Sequence, residues 1–364
     1  MHKIDYGEFF KTHDREKFED EYLDIFKDKR CKKNAKFLQT YKEYNKNYKK
    51  FRRDNSLNKL PAELKDLFIA SYKDLVDWFI DYNDFLKSNA SATIFEVKNN
   101  KTKDSSKKKE NDKKECPDIY GKFSEEIRSF FAKYADSLNL YSCAYCECAY
   151  TGAWKDDESQ NEDNSGFFDL DHFFPKAEYP LFALCLYNFV PCCQICNSRI
   201  KGSNSFLEFY NIDIKDIAKA KEKLLRLSPV STKYNFDKTV KIRYIPKLRN
   251  NEYWHYSPLS QSSSDNYEVF FDTEFSADTG CDDAYEIIIS AMELNERYNS
   301  LAIKNKGLYL LDLKKRYPVS HIQMIDSWLA KSSYYTSPEE IEKAIFHKEE
   351  KNILLGKMRG DVLE

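Results

Sequence analysis

The segment Cys143-Ala-Tyr-Cys146 … Phe168-Asp-Leu-Asp-His-Phe-Phe-Pro-Lys176 … Cys193-Gln-Ile-Cys196-Asn-Ser-Arg-Ile-Lys-Gly202 decides the fold of this chain. Each Cys-x-x-Cys turn can direct two thiolates at one metal ion, and two such turns complete a tetrahedral zinc site of the closed, structural kind. The 46 residues between the two turns predict a subdomain looped out within the zinc site. Structural Zn²⁺ is therefore the first cofactor that the sequence predicts.

Two neighbouring thiols leave the ligand set open. Cys148 could replace Cys146, and Cys192 could replace Cys193. The competing interpretation is that these thiols are reduced and pack in a core as small hydrophobic side chains. We favour zinc, with the set in which both turns keep the two-residue gap: Cys143, Cys146, Cys193 and Cys196.

The polar residues enclosed by the two turns suit hydrolysis of a phosphodiester, which needs a base for water and a cation for the leaving oxygen. His172 is the single histidine between positions 14 and 254, so it has no nearby competitor as the base. Asp171 offers a hard oxygen to Mg²⁺ or Mn²⁺, and Asn197 offers a neutral one. Asn188 is placed to hydrogen-bond the backbone across the Asp-His loop and to hold the imidazole.

These motifs resemble those of the HNH, or ββα-metal, endonucleases. Asp171-His172-Phe-Phe-Pro175 matches Asp-His-x-x-Pro, and Asn188-Phe-Val-Pro191 matches Asn-Leu-Val-Pro. Cys196-Asn197-Ser-Arg-Ile-Lys201-Gly202 matches Cys-Asn-x-x-Lys-Gly with one extra residue before the lysine. The resemblance implies a two-stranded hairpin that carries the Asp-His pair and packs on a helix starting near Asn197.

The resemblance also implies roles for individual residues. His172 would be the general base, Asp171 and Asn197 the ligands of a catalytic Mg²⁺ or Mn²⁺, and Asn188 the residue that fixes the loop. An Asp-His pair on its own is more often structural, because perturbed acid–base pairs mark functional sites only statistically. A zinc module that binds nucleic acid or protein without catalysis is the alternative function.

Three cations near these motifs are candidates for contact with phosphates. They are Lys176, Arg199 and Lys201. The competing interpretation for each is a solvated surface side chain. Asp169 is a candidate supporting group for the metal site, or simply a polar position on a strand.

Composition limits the class of protein. At 364 residues the chain suggests two or three domains, and a net charge of −2 excludes a basic field over the whole molecule. Ten cysteines with no recognisable signal peptide predict a reducing, cytoplasmic location. No apolar run approaches 18 residues, so we expect no membrane partner.

The chain divides into four regions in this interpretation. Residues 1–97 have helical spacing of aromatic residues and form an N-terminal helical region. Residues 98–118 form a Lys-rich linker, expected to be disordered, in which residues 98–114 hold eight lysines and three acids. Residues 119–210 hold the nuclease module, and residues 211–364 form a mixed, mainly helical region. The predicted fold class is α+β and mostly helical, with a central ββα-metal module flanked by helical regions.

A second, narrower resemblance covers roughly residues 140–317. Short strands predicted at 239–245 and 268–272 and a helix from Asp282 follow the nuclease motifs, as in the HNH subunits of Septu- and retron-type antiphage systems. This resemblance implies an antiviral effector that cuts DNA, with RNA as the other candidate substrate. It also implies an ABC-type ATPase as a partner subunit.

Overall fold

The computed structural model describes residues 1–26, 35–87, 92–95, 119–154, 165–202, 216–246, 267–273, 282–300 and 302–304. The Lys-rich linker predicted at 98–118 and the acidic sequence at 155–163 lie outside the described residues. The described chain forms two compact units. One unit contains residues 3–140 and 151–234, and the other contains residues 1–2, 141–150 and 235–364.

The first of these units is built mainly from helices. In chain order they are α1 (Tyr6–Phe9), α2 (Arg15–Asp24), α3 (Ala35–Asp54), α4 (Leu64–Phe68), α5 (Tyr72–Leu86), α6 (Ser124–Lys133) and α7 (Ile217–Leu227). Short 3₁₀ turns span Ala92–Phe95, Tyr120–Lys122, Pro180–Phe182 and Leu186–Asn188, and a π-helix spans Ile195–Lys201. Helices occupy most of the described part of residues 1–97, as the spacing of the aromatic residues predicted.

Two antiparallel strand pairs complete this unit. Strand β1 (Ala153–Trp154) pairs with β2 (Ser165–Gly166), and β3 (Asp169–His172) pairs with β4 (Phe189–Cys192). The β3–β4 hairpin is short, so its loop and its flanking elements must supply most of its burial.

Helix α5 supports the loop that follows β3. Its first turn is closed by a capping box in which Ser71 and Asp74 satisfy each other's backbone N–H groups. Its buried face then presents Tyr72 and Phe79 to the loop, where ring centroids lie 5.4 Å from Phe173 and 5.1 Å from Phe174, respectively. This aromatic packing fixes the chain immediately after His172.

The second unit combines strands and helices. Strand β5 (Lys241–Pro246) pairs antiparallel with β6 (Tyr267–Asp272), and the helices are α8 (Phe236–Thr239), α9 (Asp282–Ala291) and α10 (Leu294–Tyr298). Both predicted strands are present, although the first begins later than expected because Thr239 ends α8. The Asn299 side chain accepts from the Val269 N–H (2.8 Å) and donates to the Val269 carbonyl (2.6 Å), which ties β6 to the end of α10.

The described residues are therefore a mixed α/β structure, about half helical, with small antiparallel sheets. This confirms the coarse part of the predicted fold class. Within the described part of the chain, no helix has both the length and the apolar character needed to cross a membrane.

Candidate functional site

Four cysteines form a cluster suited to a metal ion. Their sulfur atoms all lie within 4.8 Å of one another, and all four side chains are buried. Ligands at a Zn–S distance of about 2.3 Å in a tetrahedron are about 3.8 Å apart, so the thiols fit zinc after a small contraction. The members are those of the favoured set, Cys143, Cys146, Cys193 and Cys196, while the alternatives Cys148 and Cys192 lie outside it.

Two hydrogen-bond donors contact the sulfur of Cys146, and neither was predicted from the sequence. The Arg297 guanidinium donates to its sulfur at 3.1 Å, and the Cys148 N–H donates to it at 3.4 Å. Donors around a thiolate offset its charge and orient it as a metal ligand. No spacing in the sequence distinguishes Arg297 from other cations on the helices, so this role was detectable only in three dimensions.

The β3–β4 hairpin carries the predicted Asp-His pair. Asp171 lies opposite Val190 and His172 lies opposite Phe189. Both polar side chains are buried, and the imidazole sits between two aromatic rings, with centroids 4.6 Å from Tyr120 and 4.9 Å from Phe189. The π-helix that begins at Ile195 follows β4 after two residues and contacts β3. The local order is thus strand, strand, helix.

One ring nitrogen of His172 is committed to the backbone. Its Nε2 lies 3.0 Å from the carbonyl oxygen of Ala183. A carbonyl can only accept, so Nε2 carries the proton and Nδ1 keeps the lone pair when the ring is neutral. Burial lowers the pKa of His172 to about 4, which outweighs the opposite influence of Asp171, so the ring is neutral at pH 7. This is the protonation state that a general base requires.

Asn188 fixes the loop that holds His172. Its Oδ1 accepts from the Phe174 N–H at 2.8 Å, and its Nδ2 donates to the carbonyls of Phe174 (3.1 Å) and Phe182 (3.0 Å). Phe182 directly precedes Ala183, whose carbonyl binds the imidazole. Asn188 is fully buried, so it acts on His172 by holding the loop and not by contact with a bound molecule.

We expect Asn188→Ala to destabilise the unit by about 3 kcal/mol or more, because it leaves buried backbone groups of Phe174 and Phe182 without partners. Urea denaturation followed by circular dichroism measures the loss. The control is Asn197→Ala, which removes the same side chain from a half-exposed position. Equal losses in the two variants would contradict a loop-fixing role for Asn188.

Lys201 makes a buried ion pair with Asp171. Its Nζ lies 2.7 Å from Asp171 Oδ1 and 2.9 Å from the carbonyl oxygen of His172, and both side chains are almost fully buried. The π-helix explains how the shifted lysine reaches this position, because a wider π turn takes up one extra residue. Gly202 then ends the helix with φ +57°, and its N–H donates to the Asn197 carbonyl at 2.9 Å.

Breaking this ion pair should be costly. We expect Lys201→Met to lower the free energy of unfolding by about 3–5 kcal/mol, because it leaves the Asp171 carboxylate buried without its countercharge. The double variant Asp171→Leu/Lys201→Met should recover most of that loss. The control is Arg199→Met on the exposed side of the same helix, where no change beyond about 0.5 kcal/mol is expected. Equal losses of unfolding free energy for Arg199→Met and Lys201→Met in denaturant titrations would refute the stabilising role of this ion pair.

The remaining predicted residues are distributed around the hairpin. Asn197 donates to Asp169 Oδ2 at 3.2 Å, which places the Asp169 carboxylate beside Asn197. Lys176 is half-buried with its Nζ 4.8 Å from the centre of the Tyr120 ring, and Arg199 is exposed. Lys201, by contrast, is 1 % exposed and faces Asp171.

The two predicted metal sites differ in how complete they are. Among the residues that the structure describes, the cysteine cluster is the one group of three or more His, Cys, Asp or Glu side chains placed to share an ion. Asp171 and Asn197 supply one carboxylate and one amide oxygen. The Oδ1 atom of that carboxylate lies 2.7 Å from the Lys201 ammonium, and a catalytic Mg²⁺ or Mn²⁺ at Asp171 and Asn197 stays a prediction.

Comparison with protein-family models, with curated proteins and with solved structures finds no match to this chain.

Proposed function

We propose that this protein is a metal-dependent HNH endonuclease that hydrolyses phosphodiester bonds of DNA. The observation that carries the proposal is the state of His172. It is a neutral imidazole with Nε2 bound to a backbone carbonyl, on a hairpin beside Asp171, and the helix that follows the hairpin begins within the second cysteine turn. The motifs of the sequence and this geometry support the same residue as the base.

In the proposed reaction, Nδ1 of His172 takes the proton of the attacking water. Asn188 donates to the carbonyl of Phe182, next to the Ala183 carbonyl that accepts from Nε2, so the loop keeps the basic nitrogen at one position. Asp171 and Asn197 would hold Mg²⁺ or Mn²⁺, which when bound offsets negative charge on the leaving oxygen. Lys176 and Arg199 are the accessible cations for flanking phosphates, while Lys201 supports Asp171 from within the unit.

The cellular role proposed here rests on the resemblance of residues 140–317. It is that of an effector in antiphage defence, acting in the cytoplasm, with an ABC-type ATPase subunit that restrains or directs the nuclease. RNA remains the second candidate substrate.

A specific observation favours a second candidate function. The Lys201 ammonium occupies Oδ1 of Asp171, where a cation would be expected in a nuclease. A module that binds nucleic acid or protein through its surface, with zinc in a purely structural role, would have no need of a metal at Asp171. Binding of Mn²⁺ that is lost in Asp171→Asn distinguishes the nuclease from this alternative.

The test of the proposed function is cleavage of supercoiled plasmid by the purified protein with Mg²⁺ or Mn²⁺. We expect nicked or linear product that requires the ion and disappears with EDTA. His172→Ala, purified in the same way, excludes a contaminating nuclease, because contamination would cut equally in both samples. An RNA substrate tested in parallel identifies the preferred nucleic acid.

A further inference from the structure

The solvent-facing side of α3 carries a row of cations. Lys42, Lys46, Lys49, Lys50 and Arg53 are all exposed and line a concavity of about 400 Å³. Their spacings of four, three, one and three residues place them on one side of the helix. The opposite side is buried through Tyr44, Tyr48 and Phe51. We call these five cations the α3 basic stripe.

The α3 basic stripe is neutralised only in part by neighbouring acidic side chains. Lys49 pairs with Glu63, and Arg53 contacts Asp54 at 3.3 Å. Lys42, Lys46 and Lys50 have no ion-pair partner among the residues that the structure describes. They follow one another at intervals of four residues, a like-charge spacing that costs helix stability. In a chain with a net charge of only −2, this is a local concentration of positive charge.

Contacts within the same unit connect α3 with the proposed nuclease site. The Lys122 ammonium lies 3.2 Å from the hydroxyl oxygen of Tyr44 on α3. Tyr120 belongs to the same 3₁₀ turn and packs edge-on against His172, with the Lys176 ammonium above its ring. These contacts leave α3 from its buried side, opposite the α3 basic stripe, so the stripe belongs to the same unit as His172.

We propose that the α3 basic stripe binds the phosphate backbone of duplex DNA and so raises the local concentration of substrate for the nuclease site. The inference rests on the proposed nuclease function and adds a substrate-binding surface to it. From Lys42 to Arg53 the helix spans about 16 Å, a length that covers about five phosphates of one strand. Contacts between lysines and phosphates carry no sequence information, so we expect this binding to be independent of sequence.

The test is the affinity for a fluorescently labelled DNA duplex, measured by anisotropy in EDTA so that no cleavage occurs. The stripe variant is Lys42→Gln/Lys46→Gln/Lys50→Gln. The matched control is Lys65→Gln/Lys87→Gln/Lys219→Gln, which removes three exposed lysines elsewhere in the same unit with the same change in net charge. We expect at least tenfold weaker binding for the stripe variant and less than twofold for the control.

Salt dependence adds a second readout. The slope of log K against log salt should become shallower by about 3 in the stripe variant, because about three fewer counterions are released. A Lys→Arg triple variant at the same positions should retain affinity and slope. Equal weakening in the stripe and control variants, no weakening in either, or preference of the stripe for anionic phospholipid vesicles over DNA would overturn the inference.

The outcomes separate this inference from the proposed function. If the stripe binds DNA but the wild type cleaves none with any metal, the assignment of the surface holds and the proposed nuclease function fails. If the stripe variant binds DNA with unchanged affinity and cleaves it at an unchanged rate, the proposed nuclease function holds and the assignment of the surface fails. A wild-type protein that does not bind duplex DNA at all would overturn the stripe.

Discussion

Cys193→Ser should lose bound zinc and most of its resistance to unfolding. Serine is a poor zinc ligand, and the three remaining thiolates would hold the ion weakly. Zinc binding by such sites is coupled to folding, and its free energy contributes directly to stability. We expect a loss of about 3 kcal/mol or more, which corresponds to a fall in Tm of about 6–12 °C for a cooperative unit of about 150–250 residues. Thermal unfolding and metal analysis of protein purified without added metal measure the two effects.

The control for this prediction is Cys148→Ser. It makes the same substitution two residues from Cys146, at a half-buried thiol that lies outside the cysteine cluster. We expect this variant to keep one zinc per chain and to melt within a few degrees of the wild type. Loss of zinc in Cys148→Ser with retention in Cys193→Ser would show that the ligand set is different.

The cysteine cluster was predictable because its geometry is encoded locally. Two residues between thiols place both sulfurs on one side of a turn, so Cys143/Cys146 and Cys193/Cys196 each come as a preformed pair. Cys148 and Cys192 break that spacing, and the structure excludes them from the cluster.

The hairpin and the position of Asn188 were also accessible from the sequence. The resemblance of Asp171-His172-Phe-Phe-Pro175 and Asn188-Phe-Val-Pro191 to the ββα-metal motifs implied the hairpin and a loop-fixing role for Asn188. A polar side chain at that point must satisfy its donors and acceptor, and the nearest unpaired backbone groups are those of the loop. The three hydrogen bonds of Asn188 follow from this requirement.

The environment of Lys201 was not accessible in the same way. Lys201 was predicted to contact phosphates, since lysine side chains are usually exposed. The side chain instead lies 1 % exposed on Asp171, as a consequence of the π-helix. Helix type depends on hydrogen bonds across the whole turn, and the residue spacing alone does not distinguish α from π. The role of Arg297 beside Cys146 could not be predicted for a related reason, because it depends on a tertiary contact.

His172→Ala should abolish cleavage while leaving the zinc content unchanged. General-base catalysis contributes typically 10²- to 10⁴-fold, so we expect the rate of plasmid nicking to fall by about that factor. The ring is buried between Tyr120 and Phe189 and binds Ala183, so alanine also leaves a cavity and an unpaired carbonyl. A fall in stability of about 2–4 kcal/mol is therefore expected together with the loss of activity.

His172→Gln separates the catalytic effect from the structural one. A glutamine side chain can place an N–H near the position of Nε2 and keep the hydrogen bond to the Ala183 carbonyl, but it has no basic nitrogen at the position of Nδ1. We expect this variant to unfold close to the wild type and to remain as inactive as His172→Ala. Cleavage at more than about a tenth of the wild-type rate by a folded His172→Gln protein would be incompatible with general-base catalysis by this residue. Normal Mn²⁺ binding by the same variant would show that the lost activity reflects the missing base and not a missing metal.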